Sequence, residues 1–317
     1  MNVIIALDSS GSAQAALAAA LARRWPDGTQ FKILTVLPAK PRTSNLFCKY
    51  DSVRDRARGL LELATRELEA RNPDSIVVGQ IDVGDPAKKI VELSEAWPAD
   101  LIIVGSHDRN PLERIFMGSV SRSVLNRARC AVFVARNLTL WQPDFVPISR
   151  VLVAVNETPQ SRAAINAVLN GRWPAHARFH IFAAMRPMYS VCGWEPGVVA
   201  VNNCLDSEAL VRSNLEAFAE NVADEFKNKF GRHRVDITVV EGEPGELIPQ
   251  VADAWGAHLI TVGSGGKSDL FARLAGSVSH AVATQAKCSV QVVRRAVTRL
   301  ELPDPAYAAA EGMRRAS

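Results

Sequence analysis

Residues 262–279 read VGSGGKSDLFARLAGSVS, in which nine residues separate Gly263-x-x-Gly266 from Gly276-Ser277. Residues 104–121, VGSHDRNPLERIFMGSVS, repeat the frame with Gly105, Asp108, Gly118 and Ser119. The offset is 158 residues throughout, so one unit occurs twice. Each copy follows a short apolar run and precedes a run with helical spacing. A glycine loop between a strand and a helix N-terminus suits a phosphate group, because it directs backbone N–H groups at the anion.

The duplication extends outward from these loops. The segment beginning NVIIALDSS at residue 2 aligns with RVLVAVNET at residue 150, and Trp25-Pro26 matches Trp173-Pro174 at an offset of 148. Further on, Gly84-Asp85-Pro86 matches Gly242-Glu243-Pro244 at 158. The second copy therefore carries about ten extra residues, expected around Met188 to Cys204. Apolar runs at 3–7, 32–37, 76–81, 101–104 and 131–135 are too short for helices and rich in Val and Ile. The second copy repeats them at 151–155, 179–183, 235–240, 259–262 and 290–293. Helices are expected at 13–24, 53–71, 87–97 and 119–127. Continuous rather than alternating apolar strands predict burial on both faces, as in a parallel sheet covered by helices. The division expected is a first domain over 1–138, a second over 149–295 and a loose tail over 296–317.

Composition bounds the function. A chain of 317 residues with 48% hydrophobic and 22% charged residues is expected to form about two globular domains. The formal charge of +4, without a basic stripe interleaved with aromatics, argues against a nucleic-acid partner. MNVIIALDSS shows no basic leader or small-residue cleavage site, and no apolar run approaches the ~18 residues that span a bilayer. Five cysteines without a CxxC argue against a disulfide framework. A reduced, cytoplasmic protein with no membrane partner is expected.

In open parallel sheets, ligands bind beyond the carboxyl ends of the strands. The fourth strand of each half ends at Gly105 or Gly263 and the first at Asp8 or Asn156, so all four lie at that edge. They share a crevice if strands one and four are neighbours, which pattern alone does not establish.

The strand-Asp opening, the Gly-Asp-Pro segment and the spaced Gly, Gly, Gly-Ser loop resemble the universal stress protein family, over two tandem copies from Asn2 to about Arg295. The resemblance implies two flavodoxin-like α/β domains, also described as adenine nucleotide alpha hydrolase-like. Each would have a five-stranded parallel sheet with helices on both faces. In the family's nucleotide-binding branch it also implies ATP, with or without Mg2+, held by the loop. In the second half the phosphates would then meet Gly263, Gly266, Lys267, Gly276, Ser277, Val278 and Ser279, and the nucleoside Asn156 and Ala184. The matching first-half residues are Asp8, Val36, Gly105, Arg109, Gly118, Ser119, Val120 and Ser121. That copy is compromised, because Asp108 replaces the second glycine with a Cβ and a negative charge. The second half departs once, with Asn156 in place of the aspartate, and is the better site.

Blander readings stand beside these. Gly265-Gly266 can be a simple turn and Ser277 an ordinary N-cap. Gly266-Lys267-Ser268 is not a P-loop, since the required first glycine falls on Thr261. No nucleophile–base–acid set, paired carboxylates or metal spacing of histidines is present, so no catalytic residue and no metal site is assigned. Cys130 and Cys288 occupy equivalent positions and read as small buried hydrophobes. The functional expectation is a stress-response regulator binding ATP or a related adenine nucleotide, mainly in the second half. The alternatives are a nucleotide-free interaction scaffold and a slow ATPase. The final strands, expected at sheet edges, would pair the halves within the chain or, between chains, build a homodimer. A regulatory protein partner is also expected, its identity open.

Overall fold

A computed structural model describes residues 1–8, 11–39, 47–106, 117–136, 147–186, 201–264 and 277–294; for 11–13, 47–50, 201–208 and 277 it describes the backbone alone. The first half runs β1 (Asn2–Ala6), α1 (Gly11–Ala22), β2 (Gln30–Leu37), α2 (Phe47–Arg71), β3 (Ile76–Val83), α3 (Pro86–Ala96), β4 (Leu101–Gly105), α4 (Ser119–Arg127) and β5 (Ala131–Ala135). The second repeats it with β6 (Arg150–Ala154), α5 (Pro159–Leu169), β7 (Arg178–Met185), α6 (Val201–Phe230), β8 (Val235–Glu241), α7 (Pro244–Trp255), β9 (Leu259–Gly263), α8 (Ser277–Gln285) and β10 (Ser289–Val293). Both α/β units follow the alternation read from the sequence. Cys204, expected in the inserted segment, lies within α6, which is 30 residues long against 25 for α2. Residues 187–200 of that segment lie outside the described residues, as do 137–146 of the linker and the tail.

The strands form one ten-stranded sheet in the order β3-β2-β1-β4-β5-β10-β9-β6-β7-β8. Every neighbouring pair is parallel except β5 and β10, which run antiparallel at the centre. The outer edges are therefore β3 and β8. Alternate residues of one strand feed different layers: Val3 and Ile5 belong to one core, Ile4 to the other. The first layer is lined by α1, α2, α5 and α6, through residues such as Leu17, Leu68, Ile165 and Phe226. The second is lined by α3, α4, α7 and α8, through Ile90, Leu125, Ile248 and Val282. This two-sided burial is why the inner strands lack polar alternation. The expectation of burial on both faces fails for β3 and β8, which as edge strands hold no buried residue. The first layer's cluster contains residues of both halves without a break.

The Gly-Asp-Pro segment is a strand-to-helix connector. Gly84 and Gly242 sit at φ of 135° and 149°, where only glycine is unstrained. Pro86 and Pro244 supply the fixed φ of a first helical turn. Asp85 caps α3 by accepting a 2.7 Å bond from the Lys88 amide. Glu243, its counterpart, instead pairs with Arg186 at 2.8 Å.

Candidate functional site

The crevice is set by the neighbouring of the first and fourth strands of each half. In the first half Ala6 lies beside Val104, and in the second Ala154 lies beside Val262. The chain leaving β1 thus passes next to the chain leaving β4, bringing Asp8 to the end that carries Gly105. In the second half, Asn156 comes to the end that carries Gly263 and Ser264. Backbone bonds hold these exits: the Ser106 amide donates to Ala135 at 3.0 Å, and the Ser264 amide to Val293 at 2.8 Å. Val36 and Ala184, equivalent and half-buried, sit near the carboxyl ends of β2 and β7.

Two glycine-serine assignments acquire a different physical reason. A Cβ at Gly263 would lie 2.4 Å from the Gln160 carbonyl oxygen and 2.7 Å from the Ser161 nitrogen. The glycine therefore makes room for the first turn of α5, not only for a ligand. Ser121 is buried and donates its hydroxyl to the Gly105 carbonyl at 2.7 Å, tying α4 to the end of β4. Its equivalent Ser279 is likewise buried, while Val120 and Val278 are half-buried. Gly118 is the N-cap of α4 and no side chain caps that end. The amides of Ser119 and the residues after it, at the first turn of α4, have no intrahelical acceptor. The backbone of α8 starts at Ser277 in the same place. Asp108, Arg109, Gly266, Lys267 and Gly276 lie outside the described residues.

Asn156 is engaged locally. Its Oδ1 accepts from the Thr158 amide at 3.1 Å and the Thr158 hydroxyl at 2.6 Å, and its own amide N–H donates to Ser161 Oγ at 2.9 Å. Thr158 in turn caps α5 through the Ser161 amide. The side-chain carbonyl oxygen is thus already bonded within the turn that starts α5.

The description "Universal stress protein family" belongs to a family model that matches twice, over residues 1–136 and 147–294. The chain belongs to the universal stress protein family. Among curated relatives of this family, a universal stress protein of Mycobacterium tuberculosis is 28% identical over 223 residues, covering 69% of each chain. One from Synechocystis is 22% identical over 152 residues, 97% of its own length but 43% of this chain, so it corresponds to a single copy. A solved universal stress protein from Archaeoglobus fulgidus has the same fold, with a TM-score of 0.60 at 19% identity, covering 93% of this chain and 98% of its own.

Burial pushes the Cys130 and Cys288 thiols up to about 12, so both stay protonated and act as packing groups of the second core. Among the described residues, no three His, Cys, Asp or Glu side chains cluster as a metal site, and no helix is long and apolar enough to cross a membrane. The sequence reading missed the arginines that follow β5 and β10. Arg136 is buried and donates to Ser106 Oγ at 3.2 Å, to the Ala286 carbonyl at 2.9 Å and to the Ala283 carbonyl at 2.6 Å. It thereby joins the exit of β4 in one half to the last turn of α8 in the other. Arg294, its counterpart 158 residues on, reaches back to the Leu125 carbonyl of α4. The signal was present in the equivalent runs VFVAR and VQVVR, but it carries no hint of a partner some 150 residues away.

Proposed function

We propose that this universal stress protein is a stress-response regulator that binds ATP or a related adenine nucleotide, principally in its second half. The observation that carries the reading is the β6–β9 adjacency, with Ala154 beside Val262, which brings Asn156 to the exit of β9 and the start of α8. The complete set of glycines in that copy and the family resemblance support it. Gly263, Gly266, Lys267, Gly276, Ser277, Val278 and Ser279 form the phosphate side, and Asn156 and Ala184 the nucleoside side. Backbone N–H groups supply most of the anchoring, so the site suits ATP with or without Mg2+. The first half keeps Asp8, Val36, Gly105, Arg109 and the Gly118–Ser121 helix start as a weaker site, handicapped by Asp108.

The role is regulatory rather than catalytic in this reading, and the protein acts in the cytoplasm. The β5–β10 pairing is proposed to hold the halves together in solution. Mass spectrometry of small molecules released from natively purified protein tests the function. Adenine nucleotide approaching one per chain is the expected result. Its absence, with ATP failing to bind in titration, would favour the nucleotide-free scaffold; conversion of added ATP to ADP would favour the slow ATPase.

A further inference from the structure

At the central seam, Val132 lies opposite Val292, Phe133 opposite Gln291 and Val134 opposite Val290. Phe133 and Gln291 are equivalent positions of the two copies, so a pseudo-twofold axis passes between them. The arginine caps obey this symmetry, Arg136 reaching α8 and Arg294 reaching α4. Contacts of that reciprocal kind would form equally well between two first halves or two second halves. Such a seam, taken alone, does not choose its partner.

Other polar contacts across the seam break the symmetry. Arg23 Nη1 donates to Gln291 Oε1 at 2.9 Å, with the guanidinium centred 5.0 Å from the Trp25 ring. Gln291 is only 5% exposed, and desolvation lowers the Arg23 pKa to about 10. Arg172 makes a two-pronged pair with Asp27, at 2.9 and 3.1 Å, and donates to the Trp25 carbonyl at 3.3 Å. In the second half, Gly171 stands where the first has Arg23, and Ala175 where it has Asp27.

The consequence follows by exchanging partners. Two first halves would bring two Arg23 guanidiniums to a seam lined by Phe133 on both sides, with no amide to accept. Two second halves would set buried Gln291 against another Gln291, without the arginine; the exposed Arg172 would lose its acid at little cost, because water still reaches it. Withdrawing a charge or amide from water without its partner costs more than the contact contributes. Of the three matches, only a first half against a second half gives Arg23 its amide acceptor.

We infer that the seam is a heterospecific interface, in which the Arg23–Gln291 contact makes the partner of each half the other half of a chain rather than a second copy of itself. Discrimination comes as much from the unpaired groups of the wrong match as from the contacts of the right one. The tether then favours the match within one chain, since joined halves meet at high effective concentration. The inference rests on the proposal that the halves stay paired in solution, and its test separates the two.

The test uses the full chain with its five native cysteines replaced by alanine. In one version Val132→Cys and Val292→Cys place thiols opposite each other across the seam. In another, Val132→Cys and Val134→Cys place them opposite only if two first halves pair. After mild oxidation, the first version is expected to form an intrachain disulfide at monomer mass, and the second no covalent dimer. Separately, Gln291→Lys sets a like charge against Arg23 and is expected to lower Tm by roughly 5 °C or more. Adding Arg23→Glu reverses the pair and should restore most of that loss, or recover folded protein if the single variant does not fold. Failure of the first version to cross-link would show that the halves do not pair in solution. Covalent dimers from the second version, or no recovery with Arg23→Glu, would overturn heterospecificity while leaving pairing intact.

Discussion

Gly263→Ala separates the two roles a loop glycine can play. The added Cβ would sit 2.4 Å from the Gln160 oxygen and 2.5 Å from its carbonyl carbon, roughly 1 Å inside ordinary contact distance. Both are backbone atoms of the first turn of α5, so no side chain can rotate away. That turn is held by the Thr158 cap, and the helix buries Ala164, Ile165 and Val168. The helix must shift as a body or β9 must bend. Overpacking of this kind falls at the upper end of its usual range, about 3 kcal/mol. For a unit of this size that is a Tm loss of ~10 °C. Gly59→Ala is the control: a Cβ there meets nothing within 4 Å on α2, and the change should stabilise by about 0.5–1 kcal/mol. Urea denaturation followed by tryptophan fluorescence and circular dichroism measures both. A Gly263→Ala protein as stable as the parent but impaired in nucleotide binding would refute the packing argument.

Ser121→Ala should cost about 1–2 kcal/mol, because the Gly105 carbonyl loses its buried donor, and should leave ATP affinity in the second half unchanged. Arg136→Met removes three side-chain bonds at once and should destabilise by about 3 kcal/mol in urea denaturation, with faster amide exchange at the end of α8. Burial lowers the pKa of His180 and of His258 below the ordinary 6.5, so the unfolded chain binds more protons than the folded one between the two values. Stability should therefore decline as pH falls below about 6.5 and level off once the folded-state histidines are charged. His180→Gln should flatten part of that decline in denaturation series run from pH 7.5 to 5.

The alternation of strands and helices was legible because the inner strands are buried on both faces, leaving apolar runs such as 101–104 with no polar break. The repeat supplied the rest, since each weak element was read twice. Contacts between distant segments were not legible. Nothing near Gly263 announces that Gln160 will press against it, so local chemistry suggested only a ligand. Ser121 was read as a hydroxyl for phosphate, but its partner lies 16 residues back at the end of β4. The edge reading of β5 and β10 holds within each five-stranded half. In the joined sheet they are central, because each covers the other. Arg23 and Gln291 had no signal at all: they come from different copies, and their equivalents Gly171 and Phe133 cannot form the same bond.

Calorimetric titration with ATP of the parent chain, Gly276→Val and Asp108→Gly tests the central claim most directly. One nucleotide per chain is expected in the parent, and none at that affinity in Gly276→Val, where bulk would meet the proposed phosphate position. Asp108→Gly should add a second site by removing a Cβ and a charge from the first loop. Two equal sites in the parent, or unchanged affinity in a folded Gly276→Val protein, would contradict the account.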